Sequence, residues 1–286
     1  MGVLFILMSG VAFGLLPWFA RIAYGHGAEP LGMLAVRFLF ASFIMLLGRV
    51  VFKRGEKWPE RSLGIKLFLL GAVGYAPQAT FFFFGIDRID VSLATVIFYT
   101  YPVFVVLASW IFLKHIPSTL MLVCLGAVVI GAALTAGQVT SGSWSGIALM
   151  FGAATWYTGY IIVSSRIVHI AGAYTSLTIT MIGALVAHGI LYLALRPDLP
   201  TDTTGWMAIL AASIIATVLA MGFFFAGVSR IGPGESAVLS TVEPVVSIAV
   251  GVTALHEELT MVRVIGALLV LGGVALMAQF SRSETK

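Results

Sequence analysis

The sequence predicts an all-α polytopic membrane protein with ten transmembrane helices, arranged as two inverted five-helix repeats. Three observations carry this prediction. The 286 residues are 60% hydrophobic and only 10% charged, with a mean hydropathy of +1.06. Ten apolar stretches approach the length of about 20 residues that a helix needs to cross a bilayer. In addition, the second half of the chain repeats features of the first half.

The composition also excludes several classes of protein. A soluble domain carries about 25% charged residues, and so few charges cannot cover a 30.4 kDa globule. The single cysteine, Cys124, excludes a disulfide framework and a cysteine-based metal site. The net charge of +4 is small, and in a membrane protein it reports topology rather than binding to nucleic acid. We therefore expect no nucleic-acid partner, no cofactor and no metal.

The apolar windows leave only short loops and two short tails between them, and hence no room for a soluble domain. The ten predicted spans cover residues 3–24, 31–52, 64–86, 91–113, 119–137, 143–166, 173–195, 205–228, 235–255 and 260–280.

The distribution of Lys and Arg predicts the orientation, because cytoplasmic loops carry an excess of these residues. With both termini cytoplasmic, the outer loops hold four of the 16 basic residues, Arg21, Arg88, Arg196 and Arg263. One more, Arg37, lies inside the second span. The inner loops and tails hold the remaining eleven, Arg49, Lys53, Arg54, Lys57, Arg61, Lys66, Lys114, Arg166, Arg230, Arg282 and Lys286. The predicted location is a bacterial inner membrane with both termini in the cytoplasm.

The two halves resemble each other when the chain is shifted by 142 positions. Phe81–Phe83, Gly85, Arg88 and Ile89 then fall on identical residues, and so do Val96, Pro102 and Val103, which makes nine identities in the 23 positions from 81 to 103. We therefore divide the chain into repeats 1–140 and 141–286. Since each repeat holds five spans, the second enters the membrane from the opposite side, which is the architecture of many secondary transporters.

Matching prolines indicate where a ligand would bind in such a fold. Pro102 and Pro244 lie about halfway along spans four and nine, and we interpret them as hinges, because helices broken near the midplane mark the binding site of inverted-repeat transporters. A kink that serves only packing is the alternative. Glu243 stands beside the second proline, and a carboxyl group at this depth indicates a functional site. It is expected to bind a substrate ammonium group or to carry a proton. A buried pair with Arg37, or a protonated form bonded to a backbone carbonyl, would be a purely structural role.

Aromatic and polar residues flank these prolines and complete the predicted site. An amphipathic aromatic wall suits a substrate with an apolar body and polar ends, although each aromatic residue could equally serve helix packing. The predicted substrate-binding residues are Trp18, Tyr75, Gln78, Thr95, Tyr99, Tyr101, Trp156, Tyr157, Tyr160, Ser240 and Glu243.

Other polar residues receive structural interpretations. We expect the Arg37 side chain to extend to the outer interface, with binding of a substrate carboxylate as the alternative. Asp90 is expected to cap span four. His188 is expected to be a structural histidine rather than a proton relay. His256-Glu257-Glu258 lacks the second histidine of a zinc hydrolase motif.

Along nearly its whole length the chain resembles the EamA-type transporters of the drug/metabolite transporter superfamily. The resemblance lies in the Gly14 region and Leu34–Phe38, in Tyr101-Pro102-Val103 and 125–131, and in the second half in Glu243-Pro244-Val245, 256–260 and 265–273. The family usually carries a Glu after the fourth span of each half. Glu257 fits this pattern, but its counterpart at the 142 offset is His115.

The resemblance implies a central cavity between the repeats and secondary transport of small metabolites, commonly export. Within the family the chain looks most similar to YddG-like exporters of aromatic and other neutral amino acids. The predicted function is export of such amino acids by alternating access. A broad drug or toxic-metabolite exporter is the alternative, and an intramembrane enzyme is a further one that no catalytic motif supports, so we expect no enzymatic activity. The expected partners are a small-molecule substrate and the lipid bilayer, with a monomer as the working assembly.

Overall fold

The computed structural model describes residues 1–52, 57–113, 118–136 and 144–280, and within these ranges the chain is helical, without a strand. The α-helices, in chain order, are α1 (Gly2–Gly14), α2 (Leu16–Gly25), α3 (Pro30–Phe52), α4 (Arg61–Leu69), α5 (Ala76–Arg88), α6 (Val91–Phe98), α7 (Tyr101–Leu113), α8 (Thr119–Ala136), α9 (Trp144–Ala171), α10 (Ala173–Leu195), α11 (Thr203–Ser213), α12 (Ala220–Leu239), α13 (Val242–Ala254) and α14 (Met261–Phe280).

Seven helical runs in the described ranges are long and apolar enough to cross a membrane, and they coincide with spans one to four and six to eight. They are Gly2–Gly25, Pro30–Val51, Arg61–Arg88, Val91–Ala108, Trp144–Val168, Ala173–Leu195 and Thr203–Gly232. The other three predicted spans correspond to shorter apolar helices, Thr119–Thr135, Val242–Ala254 and Met261–Met277. The chain is therefore a multi-pass membrane protein, while the total of ten spans and the inversion of the repeats stay predictions.

The helices pack in pairs that join the two halves of the chain. The most extensive interfaces are α1 with α12, α5 with α9, α3 with α10, and α8 with α14. Each pair takes one helix from the first half and one from the second, so the core lies between the halves rather than within either one. Small residues permit these close approaches: a Cβ atom added at Gly131 of α8 would lie 2.8 Å from the Cβ of Leu269 in α14.

Two π-helical segments interrupt long spans at related places. Leu70–Tyr75 connects α4 to α5, and Ile214–Leu219 connects α11 to α12. Short π segments inside α-helices occur frequently at functional sites. The first segment ends at a predicted site residue, Tyr75, and the second holds Thr217, whose hydroxyl donates to the Ala212 carbonyl five residues earlier at 2.9 Å.

Candidate substrate site

Two helix breaks lie at the centre of the molecule. α6 ends at Phe98 and α7 begins at Tyr101, while α12 ends at Leu239 and α13 begins at Val242. The breaks therefore fall two to four residues before the prolines that the sequence singles out. Proline has no backbone N–H and cannot continue the hydrogen-bond ladder through the break. α12 also contains a kink at Gly232, whose φ of +82° favours glycine, so the segment after it belongs to the predicted ninth span.

The Glu243 carboxyl group lies at the second break, beside the first. Its side chain is half-buried and close enough to the Tyr99 hydroxyl for a hydrogen bond. Tyr101 and Tyr157 lie near the same carboxyl group. By the 142 offset, Tyr101 is the counterpart of Glu243. The two breaks thus place one acidic group against several phenolic hydroxyls.

Five of the predicted tyrosines form one continuous cluster. Ring centroids are 5.9 Å apart for Tyr99 and Tyr101, 4.9 Å for Tyr101 and Tyr157, 5.8 Å for Tyr157 and Tyr160, and 5.5 Å for Tyr160 and Tyr75. These distances suit edge-to-face or offset contacts. The cluster draws its members from α6–α7, α9 and the first π-helical segment, so it connects separate spans. We call these five residues the tyrosine cluster.

Phenylalanines extend the tyrosine cluster on the α6 side. Phe98 contacts Tyr99, Tyr101 and Tyr157 at centroid distances of 6.0, 5.6 and 5.4 Å, and Phe82 at 5.2 Å. From the sequence, Phe82 was noted only among the residues repeated at the 142 offset, and Phe98 was not selected. Phe98 directly precedes Tyr99 at the break, and that position is the signal that could have identified it.

The other predicted site residues are placed in different ways. Thr95 and Gln78 are buried, and the Ser240 hydroxyl donates to the Ser236 carbonyl at 2.8 Å. Trp18 stacks on Phe19 with centroids 5.5 Å apart. Pro244 is buried and Pro102 is half-buried.

Trp156 lies away from the tyrosine cluster. Its side chain is 42% exposed, and its indole N–H donates to the Val73 carbonyl at 2.8 Å. It meets Phe81 edge-on at 6.1 Å. The neighbouring Tyr157 points into the cluster instead, because successive residues of a helix are rotated by about 100°.

Arg37 does not extend to the interface as expected. Its side chain is 1% exposed, and its Nε donates to the Thr217 hydroxyl at 3.0 Å. The guanidinium lies 5.1 Å from the Phe38 ring centroid and 5.2 Å from that of Phe83, while its Nη2 has no hydrogen-bond partner among the described residues. The expectation was wrong because helices on every side shield this position from lipid and water. The pairing of Arg37 with Glu243, weighed as an alternative, is also not formed.

His188 has the structural environment that the sequence analysis expected. It is buried, its Nδ1 lies 2.9 Å from the Ala184 carbonyl and its Nε2 lies 3.1 Å from the Thr80 hydroxyl. Since a carbonyl oxygen only accepts, Nδ1 carries a proton. The ring also stacks on Phe38 at 5.0 Å. Both imidazole nitrogens are therefore occupied.

The N-terminus of α6 is capped from the other half of the chain, and not by Asp90. The Glu257 carboxylate accepts the backbone N–H groups of Val91 at 2.5 Å and Ser92 at 2.9 Å, and the Ser92 hydroxyl at 2.5 Å. Asp90 makes no side-chain capping bond; its carboxylate pairs with Arg263 at 2.7 Å. The expectation for Asp90 was wrong because a competing carboxylate reaches the free N–H groups. We call these contacts of Glu257 and Arg263 the latch.

Further contacts place the predicted outer loops at one end of the molecule. The Arg21 guanidinium donates to the Ile89 carbonyl at 3.2 Å. His26 Nδ1 lies 2.6 Å from the Asp202 carboxylate. That carboxylate also accepts from the Gly205 N–H at the start of α11, and this bond, with the His26 contact, holds the pKa of Asp202 below its usual value. A carboxylate at a helix N-terminus is stabilised in its charged form by free N–H groups.

Among the described residues, no group of three or more His, Cys, Asp or Glu side chains is arranged to hold a metal ion. What the geometry offers is a carboxyl group and phenolic hydroxyls on an aromatic surface at two broken helices. Broken helices that face each other near the middle of a bundle of long apolar spans are typical of membrane transporters.

The EamA-like transporter family model matches residues 1–137 and 144–279. This chain therefore belongs to the EamA-like transporter family. It is similar to the uncharacterized transporter YcbK of Bacillus subtilis (24% identity over 96% of this chain and 90% of the relative) and to the uncharacterized inner membrane transporter YicL of Salmonella typhimurium (26%, 88% and 86%). It is also similar to the uncharacterized transporter sll1319 of Synechocystis (22%, 97% and 93%). A solved crystal structure aligns with a TM-score of 0.69 at 16% identity, covering 100% of this chain and 99% of the other, and supports the fold alone.

Proposed function

We propose that this transporter exports neutral and aromatic amino acids across the bacterial inner membrane by alternating access. The observation that carries the proposal is the Glu243 carboxyl group next to the tyrosine cluster at the two helix breaks. Every amino acid presents an ammonium group, which a carboxylate binds, and an aromatic side chain packs against tyrosine rings. We infer that both recognitions occur at this site.

The ammonium group would bind where Glu243 meets the phenolic hydroxyls. A carboxylate removed from water needs a partner, and no Lys, Arg or His lies within salt-bridge distance of Glu243 among the ion pairs of the described residues. A bound ammonium would supply the missing positive charge. Tyrosine faces also attract cations, by about 0.5–2 kcal/mol in each case.

The side chain of the substrate would lie along the tyrosine cluster. Tyr157 is central in this surface, since it contacts Phe98, Tyr101 and Tyr160 at centroid distances of 5.4, 4.9 and 5.8 Å. The hydroxyls lie at the ring edges, so the same surface can accept an apolar group on the faces and a polar group at the rim. This arrangement favours amino acids over a purely apolar drug.

The packing pattern supports two repeats that exchange roles in alternating access. If spans one to five correspond to spans six to ten, the α1–α12 interface corresponds to the α5–α9 interface, and the α3–α10 and α8–α14 interfaces correspond to themselves. The helix breaks at 99–100 and 240–241 correspond to within one residue as well. A site between such repeats can open to one side and then to the other.

The topology we propose has both termini in the cytoplasm. The loops that hold Arg21, Arg196 and Arg263 lie at one end together, as the contacts of Arg21 with Ile89 and of the Glu29 N–H with the Asp198 carbonyl at 3.0 Å indicate. The fewer positive charges at this end favour an external position. We refer to it below as the outer end.

The test is uptake of a panel of labelled amino acids into proteoliposomes, with and without a pH gradient. Aromatic and neutral amino acids should accumulate, whereas the matching amino alcohols and the carboxylic acids without an amino group should compete poorly. Glu243→Gln should lower the initial rate at least about tenfold, because the variant keeps the shape and loses the charge that binds the ammonium. If Glu243 also carries a proton, the response to the pH gradient is lost in the same variant.

The matched control is Glu60→Gln, since Glu60 is exposed before α4 and makes no side-chain capping bond. It should transport like the parent protein. Equal transport by Glu243→Gln and the parent would refute the role of Glu243. Uptake of apolar drugs without any uptake of amino acids would instead favour the drug exporter.

A further inference from the structure

The latch joins the two halves of the chain at the outer end, and we infer that it biases the empty transporter toward the state closed on the outside. This inference rests on the alternating access proposed above. The latch joins α6 of the first half to the segment between α13 and α14 of the second half. Opening the outer end requires these two elements to separate.

The contacts of the latch are short and charge-assisted. Glu257 accepts three hydrogen bonds from Val91 and Ser92, and it occupies the free N–H groups at the helix N-terminus, where negative charge is favoured. Arg263 donates to the Asp90 carboxylate at 2.7 Å and to the Glu258 carbonyl at 3.0 Å. The Glu257 N–H also donates to the Gly251 carbonyl at 3.0 Å, which fixes the segment to the end of α13.

The residues of the latch also line a cavity that faces the outer end. The cavity has a volume of about 600 Å³. Water can reach the latch from this side, so a soluble reagent can detect when it opens. The lining residues are Arg21, Asp90, Leu255, His256, Glu257, Glu258, Thr260 and Arg263.

The residues that form the latch have different counterparts in the other repeat. By the 142 offset, Asp90, Val91 and Ser92 correspond to residues 232–234, which are Gly-Pro-Gly. This stretch has no carboxylate and no hydroxyl, and its proline has no N–H to donate. Glu257 and Arg263 correspond to His115 and Met121, so the charged pair and the capping carboxylate are not repeated at the matched positions, and the nearest charged residues are Lys114 and Glu235. His115 lies outside the described residues, so this comparison is one of sequence.

Other hydrogen bonds between the two halves are present at both ends of the described part of the chain. At the outer end the Thr201 N–H donates to the His26 carbonyl at 3.0 Å. At the inner end Arg49 donates to the Thr175 hydroxyl at 2.6 Å. The first contact joins two loops, and the second joins the end of α3 to the start of α10. At the outer end the latch joins α6 to the segment between α13 and α14. At the inner end α7, the inner half of span four, packs chiefly against α9.

A cysteine placed beneath the latch reports its opening. Ser92 touches Glu257 and Tyr99 touches Glu243, so the face of α6 between them looks toward α13. Thr95 lies on this face, three residues after Ser92 and four before Tyr99, and it is 3% exposed. The reporter is Thr95→Cys in a Cys124→Ala background, which removes the single native cysteine.

The measurement is the rate at which a membrane-impermeant maleimide labels this cysteine in intact cells. The reporter alone should label slowly. Adding Glu257→Gln should raise the rate at least about tenfold, because charge-assisted bonds to three donors are weakened. Glu258→Gln is the matched control, since Glu258 is exposed and contributes only its carbonyl to the latch, and it should label at the reporter's rate.

Arg263→Gln provides a second variant in case Glu257→Gln does not reach the membrane, and it should also accelerate labelling by breaking the pair with Asp90. Unchanged labelling in the Glu257 and Arg263 variants would overturn the inference, and so would equal acceleration by Glu258→Gln. The assay measures labelling rather than transport, and every variant is compared in the same cells. Its result therefore does not depend on which compound is transported, and failure of the latch can be told apart from failure of the proposed function.

Discussion

The approach of α1 to α13 leads to a quantitative prediction for Gly14→Ala. A Cβ atom at Gly14 would lie 2.7 Å from the Glu243 carbonyl oxygen and 2.7 Å from the Val246 Cβ. Because non-bonded carbon atoms rest about 3.5–4.0 Å apart, the two helices would have to separate by about 1 Å. The Ser247 hydroxyl, which donates to the Gly14 carbonyl at 2.9 Å, would lose its partner or follow the shift.

The expected cost is the sum of these effects. Overpacking of this kind costs about 1–3 kcal/mol, and replacing glycine by alanine inside a helix returns about 0.5–1 kcal/mol. The difference is a net loss of about 0–2.5 kcal/mol with its middle near 1 kcal/mol. A loss of about 1 kcal/mol corresponds to a fall in Tm of roughly 2–4 °C for a chain of this size. Since Glu243 begins the displaced helix, the transport rate should fall more steeply than the stability.

Thermal unfolding in detergent and uptake into proteoliposomes measure the two effects separately. The control is Gly159→Ala in α9, where an added Cβ atom meets nothing within 4 Å; this variant should be as stable as the parent protein or more so. If Gly14→Ala keeps both its Tm and its transport rate, the close approach of α1 to α13 has no energetic importance and the reasoning fails.

Three further predictions concern other parts of the molecule. Thr217→Val should lower the free energy of unfolding by about 1–3 kcal/mol, and the Tm with it, because it leaves the buried Arg37 Nε without its acceptor, whereas Thr217→Ser should unfold like the parent. Tyr157→Ala should raise the KM for an aromatic amino acid at least about tenfold by opening the tyrosine cluster, while Trp156→Phe should leave it unchanged; equal effects would contradict the placement of the two residues. Because its folded pKa is lowered, Asp202 stabilises the fold above its unfolded pKa of about 3.9 and loses this contribution as the pH falls below it. The Tm of the parent should therefore drop more between pH 5 and pH 3, taken as about one unit on either side of that pKa, than the Tm of Asp202→Asn.

Most of the fold follows from local properties of the sequence. Apolar length predicts seven of the spans directly, and Pro102 and Pro244 predict that spans four and nine are interrupted, since a proline inside a helix removes a hydrogen bond wherever it stands. The tyrosine cluster could be predicted in the same way, because Tyr99 and Tyr101 flank the helix break that Pro102 indicates.

The latch could not be predicted from the sequence, because Val91 and Glu257 are 166 residues apart in the chain. Helix-capping preferences depend on residues next to the helix in sequence, and they select Asp90 at the start of α6. They do not include the Glu257 carboxylate, which tertiary packing brings to the same N–H groups. The His256-Glu257-Glu258 motif was the available signal. It lacks the second histidine of a zinc motif, and Glu257 fits the family pattern without a matching residue at His115, but neither comparison indicates which groups the Glu257 carboxylate contacts.

Arg37 and Trp156 show what a single span cannot reveal. A helix of apolar residues has no obvious inner face, because lipid and protein interior are equally apolar. The rule that an arginine extends to the interface assumes lipid around it, and in the structure Phe83 and Thr217 take that place. Spacing groups Trp156 with Tyr160, but which side of α9 faces the core depends on its neighbours.

The two π-helical segments, Leu70–Tyr75 and Ile214–Leu219, have a consequence for how the spans are oriented. A π turn holds one residue more than the helix needs for its rise, and that residue turns everything beyond it by about 100°. In span three, the stripe of side chains that faces inward along α4 is therefore not the stripe that faces inward along α5. The π-helical segment therefore determines which way the side chains of α5 face, so the orientation of Phe82 and Phe83 is independent of the residues of α4. Deletion of one residue there would remove the extra residue of the π turn and rotate the second half of the span by about 100°, away from its present neighbours.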